Sequence, residues 1–411
     1  MHWAEILFEK GLDKQSYKII CKAKKIAADN EMRWALLEIY KKWEFNLAYR
    51  QSNPVWMKQI LKEESLEIQT IQNTKTYHDL FFKLWLKQSY YGIARSPKTL
   101  KEIERIAQNK NLKNVSLAKT FEAQLRFYDA RCLYAETKGD TRNFYKYAKA
   151  TIHLLESQPQ KLRHHLTSYI SRLNNLITSC LSMHQLDEVP AYIAKMESLF
   201  PTIDFYSEKA KLFYFIFLNK LNYYNYCGLF EENISTIISH EQKLSEYEKY
   251  LNVSQKAVLF TDIAMFYFGT RKFKESIHWL NRIRNENLLN VRPDIESFIR
   301  LFYIIAHYEA GSVELLPSLI QSVYRFLIKK ERLYKFENHV IEFLRKQQSA
   351  DSKEKLLNTF KYLKTQLMPL TKDSYEQNAF AFFDYISWLE SKIENRPFTE
   401  IVKEKAKALN P

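Results

Sequence analysis

The chain has 411 residues, 46% of them hydrophobic, with 27 Tyr and 27 Phe, enough apolar material for a core along its whole length and too much for a disordered chain. Its net charge of +15 leaves an acidic partner open, nucleic acid included. Four dispersed cysteines, Cys21, Cys132, Cys180 and Cys227, form neither a CxxC pair nor a disulfide framework and so suggest a reducing compartment. The longest apolar run, Leu212 to Leu218, is far too short to span a bilayer.

The start, MHWAEILFEKGLDK, lacks the basic flank and apolar run of a secretory signal, so a cytoplasmic protein without membrane attachment is expected. From there, Gly11, Gly92, Gly139, Gly228, Gly269 and Gly311 each separate two stretches of helical periodicity. Breaks at Ser52-Asn53-Pro54, His184-Gln185 and Ala350-Asp351 complete a series of turns spaced about 42 residues apart, the mark of a stacked repeat. Each interval is expected to be one helical hairpin.

In chain order, Trp3, Ala4 and Leu7 occupy late positions of a first helix, so the repeat template begins about four residues before Met1. Either the first hairpin is frayed or a segment precedes Met1. Tyr128, Arg131, Cys132 and Ala135 precede Phe144, Ala148 and Thr151; Leu173, Leu176, Ile177 and Cys180 precede Leu186, Val189, Ile193 and Met196; Phe217, Lys220, Leu221 and Tyr224 precede Phe230, Asn233 and Ile237. The clearest unit has Phe260, Ile263, Ala264 and Tyr267, then Phe273, Ser276, Leu280 and Ile283. Arg300, Tyr303, Ile304 and His307 precede Leu316, Ile320 and Val323. Residues 375–394, YEQNAFAFFDYISWLESKIE, read as a single apolar helix that caps the last repeat.

The placement of large, small and aromatic residues resembles the tetratricopeptide repeat, with a period longer than the usual 34 and HEAT-like repeats as the alternative. The expected fold is all-α, an α-α superhelix of about nine hairpins over residues 1–374, with a capping helix and tail over 375–411 of the same domain. The segments 292–346, 382–393, 173–176 and 3–27 resemble an uncharacterised family of bacterial proteins built from tetratricopeptide-like repeats. The resemblance implies a cytoplasmic bacterial protein, brings no activity or ligand, and places further helical sequence before the point equivalent to Trp3.

No GxxxxGK, GxGxxG or HExxH is present, and the adjacent His164-His165 point about 100° apart on a helix, so no nucleotide loop, metal site, cofactor or catalytic set is expected. His307 reads as a hydrogen-bonded core histidine, and Cys132, Cys180 and Cys227 as packing residues. The basic clusters 22–25, 329–332 and 403–407 read as solvated helix faces. Polar residues recur at the inward offsets of successive first helices: Arg126 and Asp129, Asn174 and Thr178, Asn222 and Asn225, then Thr261. Such a row can hydrogen-bond an extended peptide or a protein partner in a concave groove. The expected function is therefore a non-enzymatic scaffold, with a nucleic-acid-associated or regulatory protein as the alternative.

Overall fold

The computed structural model describes residues 1–347 and 352–409, 84% helical and without a strand among them. The expected turn at Ala350-Asp351 lies outside the described residues, as does the side chain of His164. The chain divides into two compact units: Met1–Phe82 with Asn109–Phe127, and Lys83–Gln108 with Tyr128–Pro411.

The first unit contains α1 (His2–Glu9), α2 (Asp13–Asp29), α3 (Arg33–Glu38) and α4 (Phe45–Arg50), with a π-helical turn over Ile39–Glu44 between the last two. That turn directs Tyr40, Trp43 and Glu44 inward. Lys24 meets the buried Glu44 at 3.1 Å and Glu63 at 2.8 Å. The next helix, α5 (Pro54–Tyr91), corrects the hairpin template. Its 38 residues form one uninterrupted helix, because nothing after Pro54 breaks the intrahelical hydrogen bonds.

Then follow α6 (Pro97–Ala107), α7 (Phe121–Lys138), α8 (Thr141–Glu156), α9 (Pro159–His164), α10 (Leu166–Ser182), α11 (Val189–Leu199) and α12 (Tyr206–Cys227). After these come α13 (Ile234–Tyr247), α14 (Val253–Gly269), α15 (Phe273–Asn285), α16 (Pro293–Glu309), α17 (Leu316–Lys329), α18 (Lys335–Gln347), α19 (Lys353–Leu367), α20 (Tyr385–Glu394) and α21 (Phe398–Leu409). In the second unit α10 packs on α11 and α12, α12 on α13 and α14, and α14 on α15 and α16. Each of these three helices thus packs on its hairpin partner and on the next hairpin's first helix.

The apolar positions of the repeat pattern are the core: Leu173, Ile177, Phe217, Leu221, Phe260, Ile263, Ala264, Leu280, Ile283 and Ile304 are fully buried. Polar residues at pattern positions stay half-buried with local partners: Lys220 pairs with Glu197 at 2.7 Å, Arg300 with Glu296 at 2.7 Å, and Arg131 donates to the Tyr147 hydroxyl at 3.1 Å. The turn at His184 has φ +56° without glycine, and the one after Gly269 puts the left-handed residue at Arg271. Gly269 itself is helical; a Cβ there would lie 2.4 Å from the Phe230 ring, so close packing explains it.

Residues 375–394 are not one helix, which corrects the expected cap. Glu376–Ala381 form a 3-10 turn, and α20 starts only after Asp384, whose carboxylate accepts the Ser387 amide as an N-cap. The break sends aromatic rings in several directions: Phe380 onto Phe336, Phe382 onto Phe298, and Phe383 onto Phe268 and Phe302. α20 has a partner in α21, which returns to α12. There Thr399 and Lys403 crowd Gly228. α20 does cover the last hairpin, with Trp388 against Phe343 of α18 and Phe360 of α19, whereas the 376–383 segment and α21 reach back to earlier helices, and the Trp388 indole donates to Glu309 at 2.7 Å.

Candidate binding site

Arg126 belongs to the first unit, where it pairs with Glu122 at 3.5 Å and lies over the Phe81 ring. The other six expected site residues belong to the second unit. Asp129 receives a bidentate pair from Arg172, at 2.9 and 2.6 Å. Asn174 accepts from the Asn219 amide at 3.0 Å, and the exposed Thr178 hydroxyl donates to the Asn174 carbonyl at 3.0 Å. Thr261 is 3% exposed and donates to the carbonyl of Ala257 in its own helix, so it presents no free hydroxyl to a ligand.

Asn222 bonds the buried carboxyl of Asp262, which burial pushes up to about 8 against the lowering effect of that bond. Asn225 has neither its amide nitrogen nor its oxygen paired, although both atoms are shielded from solvent. α10, α12 and α14 therefore bring Asn174, Asn219, Asn222, Asn225 and Asp262 onto neighbouring helices.

A second constellation was not foreseen. After α5, residues Tyr91–Ser96 run through the interior of the second unit, bounded by α7, α16, α18 and the 3-10 turn at 376–381. Gly92 takes φ +70°, and a Cβ on it would sit 2.2 Å from Asp294. Arg332 donates to the Tyr91 carbonyl at 3.0 Å and the Ile93 amide donates to Asp294 at 3.2 Å. The Ala94 amide donates to the Thr137 carbonyl at 2.8 Å, and Asn378 donates to the Ala94 carbonyl at 3.0 Å. Four main-chain groups of Tyr91, Ile93 and Ala94 are thus satisfied from outside the segment. A cavity of only about 20 Å³ remains beside it, room for a single water.

Arg95 ends this segment. Its guanidinium, 8% exposed, donates to Glu337 and Glu376 and lies 4.4 Å from the Tyr334 ring centroid. Burial works to lower the Arg95 pKa, but the two carboxylates outweigh it and the charge is held. Burial pushes the Glu337 carboxyl up even with the guanidinium against it. Glu376 also accepts the amides of Lys335 and Phe336, at 3.0 and 3.2 Å, and so caps α18. Asp294 is clamped by Arg292 at 3.1 and 2.9 Å.

Glu337 carried a signal in the sequence: it shares a helix face with Val340, Ile341 and Leu344, all buried, and a charge on an apolar face implies a partner. Nothing local named Arg95 as that partner.

His307 is buried as expected, yet neither ring nitrogen has a protein partner, which corrects the hydrogen-bonded reading. Burial and then Arg284 lower its pKa. Cys132 and Cys180 are buried and Cys227 half-buried. Burial raises all three thiols, Cys180 to about 12 and Cys227 to about 11, away from thiolate reactivity.

In the basic clusters Lys22, Lys25, Lys329, Lys330 and Lys407 are exposed, as a solvated face requires, and the other four cations have partners. Lys24 meets Glu44 and Glu63, Arg332 holds the Tyr91 carbonyl, Lys403 meets Glu232, and Lys405 meets Glu390. A different stripe, Arg142, Lys146, Lys149 and His153, lies exposed along α8 beside a shallow cleft. Among the described residues no group of three or more His, Cys, Asp or Glu side chains could hold a metal ion, and no helix is long and apolar enough to cross a membrane. Compared with models of protein families, with curated proteins and with solved structures, the chain matches none.

Proposed function

We propose that this protein is a non-enzymatic scaffold of tetratricopeptide-like repeats, a cytoplasmic superhelical stack that binds an extended stretch of polypeptide on the inner faces of its helices. The observation that carries this reading is the treatment of Tyr91–Ala94: side chains of later helices bond the main chain at the end of α5 and in the loop after it through its carbonyls and amides, as peptide-binding grooves do independently of most side chains. Asn225 supports it. An unpaired donor and acceptor on one amide match one peptide group, and leaving each unpaired costs about 1–3 kcal/mol.

The test is an array of unrelated decapeptides probed with the full chain, repeated with Asn174, Asn222 and Asn225 all changed to Ala. Saturable binding lost in the triple variant supports the reading. A protein that binds no peptide ends it, and equal binding by the variant removes the asparagine row from it.

The exposed stripe on α8 favours a second reading, attachment to a polyanion such as nucleic acid. Affinity for a mixed-sequence oligonucleotide would then fall steeply between 50 and about 200 mM salt.

A further inference from the structure

We infer that the cradle made by Asp294, Arg332, Glu337, Glu376 and Asn378 is a docking site for an extended arginine-bearing peptide of a partner protein, and that the chain's own Gly92–Arg95 occupies it as a built-in competitor. This rests on the peptide-binding reading above and names the partner's chemistry.

Three observations support it. First, the recognition is directed at main chain plus one side chain. Ile93, the one large residue before Arg95, is only half-buried, and its amide rather than its side chain is what the cradle bonds. Gly92 and Ala94 present almost no side chain. A peptide of the pattern glycine–any–small–arginine offers the same groups, the first position being glycine because a Cβ there would meet Asp294.

Second, the charge is complementary to one arginine: Arg292 is paired with Asp294 and Arg332 lies in the same cradle, so three carboxylates and these two guanidinium groups leave a single negative charge for Arg95. Two buried carboxylates face a single guanidinium, and Glu337 Oε2 and Arg332 Nε remain unpaired and shielded from solvent. The planar fork of a guanidinium is the cation that suits two carboxylates at once.

Third, the arrangement is a poor choice for stability alone. Desolvating these charges costs several kcal/mol per ion, and well-packed apolar residues in their place often hold a fold as well or better. The partners lie 242 and 281 residues from Arg95, so the contact forms only when the ends of the second unit are together. A buried polar contact with that geometry suits an exchangeable ligand position.

The test uses the full chain with Arg95→Ala and, separately, Arg95→Met, which retains the aliphatic stem. The probe is the labelled peptide acetyl-Tyr-Gly-Ile-Ala-Arg-Ser-amide, with a control peptide carrying alanine for its arginine. Binding is read by fluorescence anisotropy, and melting temperature is read in parallel.

The expected result is saturable micromolar binding to at least one variant, with a rise of several degrees in its melting temperature as ligand binds the folded state. Wild type should bind at least tenfold more weakly because its own segment competes, and the control peptide at least tenfold more weakly than the probe. Adding Glu376→Gln to the Arg95 variant should weaken binding about tenfold. A folded variant that ignores the peptide, or binds both peptides alike, overturns the proposal. So does a pair of variants that stay unfolded even with millimolar peptide, because the segment is then a fixed strut. Retained binding of other peptides by wild type in the array would show that only this inference had failed.

Discussion

The guanidinium of Arg95 lies against the carboxylate of Glu337, 242 residues further along the chain, with both side chains buried. This contact ties the loop after α5 to the start of α18. Removing Glu337 leaves the guanidinium with Glu376 as its one carboxylate partner. Glu337→Ala should therefore cost about 1–3 kcal/mol, the loss of a charge-assisted hydrogen bond rather than of the whole pairing, measured by urea denaturation of the full chain. Glu337→Gln, which keeps an acceptor, should cost less. A cost under about 1 kcal/mol for the alanine variant would show that water reaches the guanidinium.

Gly92 and Gly11 share a left-handed φ but not a neighbourhood. A Cβ on Gly11 meets nothing within 4 Å, whereas one on Gly92 runs into Asp294, whose carboxylate is clamped by Arg292. Gly11→Ala should lose about 1 kcal/mol from backbone strain alone. Gly92→Ala should lose clearly more, with the Ile93 amide gaining hydrogen exchange. Equal losses would mean that Asp294 moves aside freely.

Asp262 should make stability depend on pH. Burial raises its carboxyl from 3.8 to about 8, so the folded state binds the proton that the unfolded state releases above pH 4. Its contribution is fully present below about pH 4 and is lost as pH rises through about 8. Asp262→Asn imitates the protonated form. The variant and wild type should melt together near pH 4, and the variant should melt several degrees higher at pH 8 and above. A constant difference across that range would show that Asp262 does not titrate there.

Truncation before Tyr375 should do more than uncover the last hairpin. It removes Glu376 from Arg95, Trp388 and Lys392 from Glu309, and Phe398 from Phe230 and Phe268. Large side chains are worth about 1.5–3 kcal/mol each when fully buried, so an aggregation-prone protein is expected. Hydrogen-exchange protection should fall in α12, α14 and α16 as well as over residues 331–367. Loss confined to 331–367 would restore the simpler picture of an end cap.

Local periodicity sufficed for most of the helices and turns between Phe121 and Lys329 and for the buried faces of the hairpins there. Phe260, Ile263, Ala264, Leu280 and Ile283 are core in the structure for the reason they were legible beforehand: helical periodicity and turn chemistry act within a dozen neighbouring residues. The sequence also placed Asn174 on α10 and Asn222 and Asn225 on α12, two helices that pack on each other.

The unbroken α5 and the break at Asp384 have local causes that a hairpin template passes over, whereas long-range packing set the burial of Thr261. Only the tertiary structure brought Arg95 to Glu337 and Glu376. A charged residue's local pattern states that it needs a partner once buried. Which partner it meets depends on how more than two hundred intervening residues close on themselves, and no short window of sequence contains that information.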